Sequence, residues 1–299
     1  MADYLIYTDS AADMPQYAYT EHDVRIVPMD YMLNGESVTF DTGKPGRDKL
    51  CSDLFTAQKT GADVSTTQIT PYRYIETWTP EMEAGCDILY LCFSSGMSAT
   101  FDNAQMAAEQ LMENYPGRTV KVVDSLSGTC GQGILTLAAA LNRDEKGMSL
   151  EENAEWINKN AKYICHRFIV GDLNYLHKGG RVSKAAAVVG TMLNIKPGLI
   201  IDDEGKLQVV TKTRGKQAAI KKLVDAYVRQ QIDLEGVPKV IYCDYAANTE
   251  DIPILKDALE KAVPSDTHIE FMCVTPILGV HVGPWFLSVC GWGKQRKED

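Results

Sequence analysis

The chain has 299 residues, 45% of them hydrophobic, enough for two domains of ordinary size or one large one with a proper core. Its 30 basic and 40 acidic residues leave a formal net charge of −10, and the longest basic stretch is the mixed tail Lys294-Gln295-Arg296-Lys297. That balance argues against a nucleic-acid partner, which needs a basic face. Met1-Ala2-Asp3-Tyr4 has neither a basic n-region nor a following apolar stretch, so no signal peptide is expected. No window approaches the roughly eighteen uninterrupted apolar residues of a membrane span. Eight cysteines occur without a C-x-x-C pair, several inside apolar runs such as Leu89-Tyr90-Leu91-Cys92-Phe93. They read as buried free thiols, which points to a reducing, cytoplasmic compartment.

In chain order, Tyr4–Thr8 reads as a strand, and Pro15 suits the first turn of a helix that begins near Asp13. Val24 to Met32 is a second extended stretch, and Asn34-Gly35 marks a hairpin before Ser37–Phe40. Helical spacing follows at Leu50–Lys59 and, despite Pro80, at Tyr72–Met82. Asp87–Phe93 is almost continuously apolar, as in a strand buried on both faces. A helix over Phe101–Met112, a strand over Val120–Val123 and a helix over Gly131–Leu141 come next. Ser149 with Glu152 forms a capping box for a helix running to about Tyr163. Alternating strands and helices predict a parallel sheet covered by helices.

Beyond residue 164 the pattern becomes mixed. Phe168–Val170 reads as a strand, Ser183–Leu193 as a helix, and Leu199–Ile201 pairs with Leu207–Thr211 across Asp202–Gly205 as an antiparallel hairpin. Helix 215–230, strand 239–245, helix 250–262 and strands 268–274 and 285–290 complete the chain.

Chemistry concentrates in short hydroxyl and glycine runs: Ser65–Gln68, Ser94–Ser98, Asp124–Gly128 and Gly279–Pro284. Three of them follow a strand-like run or open a helix-like one, where α/β proteins gather ligand groups and where N–H groups suit an anion. Gly96-Met97-Ser98-Ala99-Thr100 approaches the G-x-S-x-G elbow of serine hydrolases, with Thr100 in place of the last Gly. No P-loop occurs, and Gly128-x-x-Gly131-x-Gly133 has the Rossmann glycines in reversed order. Lys178-Gly179-Gly180-Arg181 admits two readings, an anion-binding loop or a tight turn with a solvated Arg. His281, alone between glycines, is either a hydrogen-bonded structural residue or part of a site, and the other histidines have no metal-ligand spacing.

Taken together, these runs resemble the DegV family, the fatty-acid-binding proteins of many bacteria. Thr8–Pro15 resembles the opening D-S-x-x-D-L-P, Thr66-Thr67-Gln68 the T-S-Q, and Ser94–Thr100 the S-S-G-L-S-G-T. Leu176–Ser183 resembles L-x-K-G-G-R-I-S, and Gly279–Pro284 resembles G-T-H-x-G-P. Leu193–Pro197, Gly205-Lys206 and Lys212–Gly215 keep the family order, so the resemblance covers essentially the whole chain.

The resemblance implies an α/β protein of two domains. Residues 1–163 would form a mainly parallel α/β/α domain with a hairpin excursion at about 24–45, and 164–299 a mixed α/β domain, with the ligand tunnel between them. Carried over by motif, Thr66, Thr67, Ser95, Gly96 and His281 would bind a long-chain fatty acid's carboxylate. Arg181 would contact a partner or a phosphate. In some members the protein presents the acid to a separate ATP-dependent fatty acid kinase that makes acyl phosphate. The implied role is that of a lipid-binding protein with no catalytic residues, no metal, and no cofactor beyond the bound acid. A serine acyl hydrolase using Ser95 or Ser98 with His281 is the alternative. Thr67, Ala99 and Trp285 depart from the motifs, and a large indole at 285 would narrow or redirect the tunnel.

Overall fold

The computed structural model describes residues 4–44, 46–185 and 194–296. A four-stranded, wholly parallel sheet is built from the first half in the order β2 (Val24–Val27), β1 (Tyr4–Asp9), β6 (Asp87–Cys92) and β7 (Val120–Asp124). From Ile88 onward β6 is buried at every residue, which is what its unbroken apolar run requires of a central parallel strand. The helices Pro71–Glu83 and Thr100–Asn114 lie against each other beside this sheet. Pro80 is tolerated in the first of them because it is exposed, so the carbonyl it leaves unbonded can meet water.

The stretch Val24–Met32 is two strands rather than one. Pro28 has no N–H for a ladder, and the chain changes sheets there. β3 (Met29–Leu33) leaves the parallel sheet to pair with β4 (Glu36–Phe40) and β5 (Val64–Thr66) in a small antiparallel sheet. Asn34 and Gly35, at φ 52° and 86°, make the tight turn.

A six-stranded sheet takes the rest, in the order β10 (Leu207–Arg214), β9 (Ile195–Ile201), β8 (Ile164–Val170), β13 (Phe286–Trp292), β11 (Val240–Tyr245) and β12 (His268–Cys273). Only β11 and β12 are parallel, and β9 with β10 forms the expected hairpin. The helix Thr129–Asp144 touches strands of both large sheets. Thirteen of its sixteen residues are buried, as its Ala- and Leu-rich sequence without a polar face demands.

The capping box is present in both directions, Ser149 Oγ accepting from Glu152 N–H while the Glu152 carboxylate accepts from Ser149 N–H. That helix ends at Asn160, followed by a single 3-10 turn, Ala161–Tyr163. The predicted helix Ser183–Leu193 falls mostly on 186–193, outside the described residues. Two short helices lacked a helical signature: Asn174–Lys178 and Pro276–Val282. The second, Pro-Ile-Leu-Gly-Val-His-Val, is β-branched and carries a glycine, so packing overrides its local preference. None of the eight cysteines forms a disulfide, and six are buried.

Candidate functional site

β5 ends at Thr66, which is paired with Tyr31 of β3. Thr67 donates its N–H to Asp30 O, and Thr70 caps the helix starting at Pro71. Thr66 is therefore held on a strand, while Thr67 and Gln68 stand exposed on the connection that follows.

His281 comes from the helix Pro276–Val282, and that helix is fixed from two sides. Thr275 N–H donates to Asp13 Oδ1 at 3.2 Å, and Gln58 Nε2 donates to the carbonyls of Gly279 and Val280 at 3.1 and 3.2 Å. Gly283, at φ 78°, ends the helix in a conformation that favours glycine. This seats His281 Nε2 2.8 Å from Thr66 Oγ1, in hydrogen-bond contact. Its Nδ1 is buried without a partner, against Gly179, where a Cβ would overlap the ring.

Gly180, at φ 78°, turns the chain so that Arg181 reaches the same place. The guanidinium donates to the carbonyls of Met97 and Gly179. It has no acidic partner among the described residues. Burial lowers the Arg181 pKa, and burial followed by the nearby Arg181 charge pushes His281 down to about 3. At neutral pH the site thus holds one uncompensated cation, one neutral imidazole and the Thr66 hydroxyl. A half-buried cation without a counter-charge is a standing preference for an anion.

Behind this cluster lies a cavity of about 440 Å³. Thr66, Thr67, Arg181 and His281 line it at one side, with Phe93, Met97, Phe168, Ile201, Leu207 and Phe286 among its apolar walls. Ser98 also lines it. Ser95 and Gly96 do not. The Ser95 N–H goes to Asp124 Oδ1, the Gly96 N–H to Ser94 Oγ, and Gly96 packs against the backbone of Glu204 and Gly205. A hydrolase would need His281 on a serine, yet the ring meets Thr66, and Ser98 Oγ is bonded to Thr100 Oγ1 at 2.8 Å. Trp285 is likewise off the cavity lining. Its indole N–H donates to Asp251 Oδ2 at 2.9 Å, and Lys196 Nζ stands 4.2 Å from its ring centroid.

The run Asp124–Gly128 spends its polar groups within itself and on the chain packed around it. Asp124 Oδ1 accepts the N–H of Ser95 and of Leu126, Ser125 Oγ bonds to Ser127, and only Gly128 reaches the cavity. Asp9 and Asp13, also singled out by sequence, are buried organisers of the loop ends. Asp9 accepts from Ala11 N, Phe93 N, Tyr90 Oη and Gln132 Nε2. Sequence reasoning missed His166 and Ser288, which line the cavity from alternating positions of β8 and β13. Their period-two spacing with Phe168 and Phe286 was the available signal.

The histidine makes a pH prediction. The folded His281 pKa, about 3, lies below the unfolded value of 6.5, so on acidification the unfolded chain takes up the proton first. Its contribution to stability is whole above pH 6.5 and is lost as pH falls toward 3, at about 1.4 kcal/mol per pH unit. Urea unfolding at pH 7.5, 5.5 and 4.5 should show a slope lower by that amount in His281→Gln than in the unsubstituted protein. Equal slopes would place a charged imidazole in the folded protein.

Residues 4–292 match the family model described as an uncharacterised protein of the DegV family. The DegV domain-containing protein YteA of Lactococcus lactis is 34% identical, across 98% of this chain and 99% of that one. Among solved structures, a fatty-acid-binding DegV family protein from Thermus thermophilus superposes with a TM-score of 0.80 at 26% identity, over 97% of this chain and 99% of that one. The Fak B3 protein of Streptococcus pneumoniae, a fatty acid kinase protein loaded with linoleic acid, shares the fold with a TM-score of 0.79 at 18% identity over both full chains. A match across both large sheets, together with a curated relative of this identity along its whole length, leaves one conclusion: the chain belongs to the DegV family.

Proposed function

We propose that this protein binds one fatty acid, its chain in the cavity and its carboxylate at Thr66, Thr67 and His281, and that it presents this head group to a separate ATP-dependent kinase making acyl phosphate. The observation that carries the reading is the neutral His281 hydrogen-bonded to the Thr66 hydroxyl at one side of an apolar cavity, with the Arg181 cation beside them at its rim. About fifteen buried methylenes would contribute on the order of 12 kcal/mol, before the costs of association. The carboxylate could not enter unpaired, since burying a lone charge costs several kcal/mol or more.

In this reading Arg181 serves the rim, where a partner or a transferred phosphate would arrive. Ser95 and Gly96 act through the loop that carries Met97 and Ser98 to the cavity. The Thermus relative, described as fatty-acid-binding, supports the ligand, and the streptococcal kinase protein supports the partner. No described helix is long and apolar enough to cross a membrane, and the free thiols suit a cytoplasmic site.

Mass spectrometry of a solvent extract from freshly purified protein tests the ligand. One fatty acid per chain is expected; a protein that carries none and takes up none when offered would sink the reading. His281→Ala should weaken acid binding about tenfold or more, by loss of a head-group hydrogen bond. Arg181→Ala should impair acyl phosphate formation by an added fatty acid kinase more than it impairs binding. Equal loss of binding in both variants would contradict that division.

A further inference from the structure

The cavity has a far wall, and the strand register says where it is. On the six-stranded sheet Phe286 pairs with Val170, Ser288 with Phe168, and Cys290 with His166. The helix bearing His281 ends just before β13 begins at Phe286, so the head-group side lies at the Val170 end. His166 is four residues further along β8, about 13 Å away at ~3.3 Å per residue.

The imidazole is buried and locked there. Nε2 is 3.1 Å from Ser127 Oγ, Nδ1 is 3.3 Å from Cys290 Sγ, and a Cβ on Gly131 of the central helix would overlap the ring. His166 and Ile201 line a second, separate hollow of about 20 Å³ as well as the main cavity. They are therefore the partition between the two. Behind them Arg296 spends its donors on the carbonyls of Ile164, Leu126, Asp202 and Ala161 and on Ser127 Oγ. Among the described residues, the Arg296 donors at the far end are thus all spent, and that end suits a terminal methyl.

Resting on the fatty-acid reading above, we infer that His166, with Ile201, is the stop that sets acyl length in this protein. A methylene fills about the space of a water molecule, ~30 Å³, so the 440 Å³ cavity takes about fifteen non-hydrogen atoms. With the carboxylate at the rim, saturated chains of about fourteen to sixteen carbons fit, and longer ones press on the partition. Each further methylene that is buried gains about 0.8 kcal/mol, roughly fourfold in affinity, so opening the partition should favour longer acids.

The test offers delipidated protein an equimolar mixture of saturated acids from twelve to twenty carbons and quantifies the bound fraction by mass spectrometry. The unsubstituted protein should enrich chains of fourteen to sixteen carbons. His166→Ala, and independently Ile201→Ala, should each raise the bound ratio of eighteen- to sixteen-carbon acid by about tenfold or more. Ile201→Ala carries the test should the first variant fail to fold. Unsubstituted protein that enriches eighteen- or twenty-carbon acids would overturn the stop, as would identical distributions in all three proteins. Uptake of no acid by the unsubstituted protein would instead overturn the fatty-acid reading itself.

Discussion

Gly179→Ala is expected to leave a folded protein that no longer retains its acid. The backbone at this position is φ −74°, ψ −8°, a helical conformation that alanine adopts freely, so the exchange by itself should stabilise slightly, by at most about 1 kcal/mol. The harm comes from across the fold. The new Cβ would overlap Nδ1 of His281, a ring held in a packed helix and bonded to Thr66 at 2.8 Å. Moving the ring breaks that bond and displaces the group assigned to the carboxylate. A lost hydrogen bond to a charged group is worth about 1.5–3 kcal/mol, so affinity should fall roughly ten- to hundredfold. Calorimetric titration of delipidated protein with a fatty acid, beside a thermal melt of the same sample, separates the two effects. An unchanged Kd would mean that His281 does not touch the head group.

Arg47→Met should be the most damaging single exchange for stability. Asp13 and Asp244 are fully buried, and the Arg47 guanidinium is bonded to Asp13 and, at 2.6 Å, to the Cys273 carbonyl. Burial, and then the neighbouring Asp244 charge, raise the Asp13 pKa well above the usual carboxylate range even with Arg47 present. Asp13 Oδ2 and Asp244 Oδ1 already lack partners. Removing one member of a buried ion pair costs about 3–5 kcal/mol, against a total stability of about 5–15 kcal/mol. Because the folded carboxyls bind protons more tightly than the unfolded ones, their contribution is largest in acid and is lost as pH rises through the folded pKa. The variant should therefore unfold at markedly lower urea than the parent, and more so at pH 7.5 than at pH 5. Adding Asp13→Asn should recover part of the loss; no recovery would mean that the charge is not the cause.

What could be read from the sequence was what local chemistry decides. Asn34-Gly35, the Ser149–Glu152 box and the unbroken apolar β6 each carry their reason within a few residues. Motif order along the chain also brought Thr66, Thr67, Arg181 and His281 to one cavity, although they are far apart in sequence. Long-range facts were out of reach. The break at Pro28 between two sheets, the helical state of Pro276–Val282 and the abutment of Gly179 on His281 depend on partners more than a hundred residues away, or on the choice between sheets. His166 looked like any core histidine, because its place at the end of a cavity exists only once β8 and β13 are in register. Ser95 and Gly96 matched their motif, yet their N–H groups are spent on Asp124 and Ser94.

The helix Thr129–Asp144 has a bearing on timing. One rod shared by both large sheets means that the two layers cannot part without stripping contacts from the same element. Breathing of the whole molecule is therefore a costly way to load or unload cargo. Exchange is left to the rim, where Thr67, Gln68 and Ala99 are exposed and Arg181 is half-buried. For the fatty acid proposed above, residence time would then be set by a few loop residues rather than by global stability, and the proposed partner, docking at that rim, would hasten release without loosening the core.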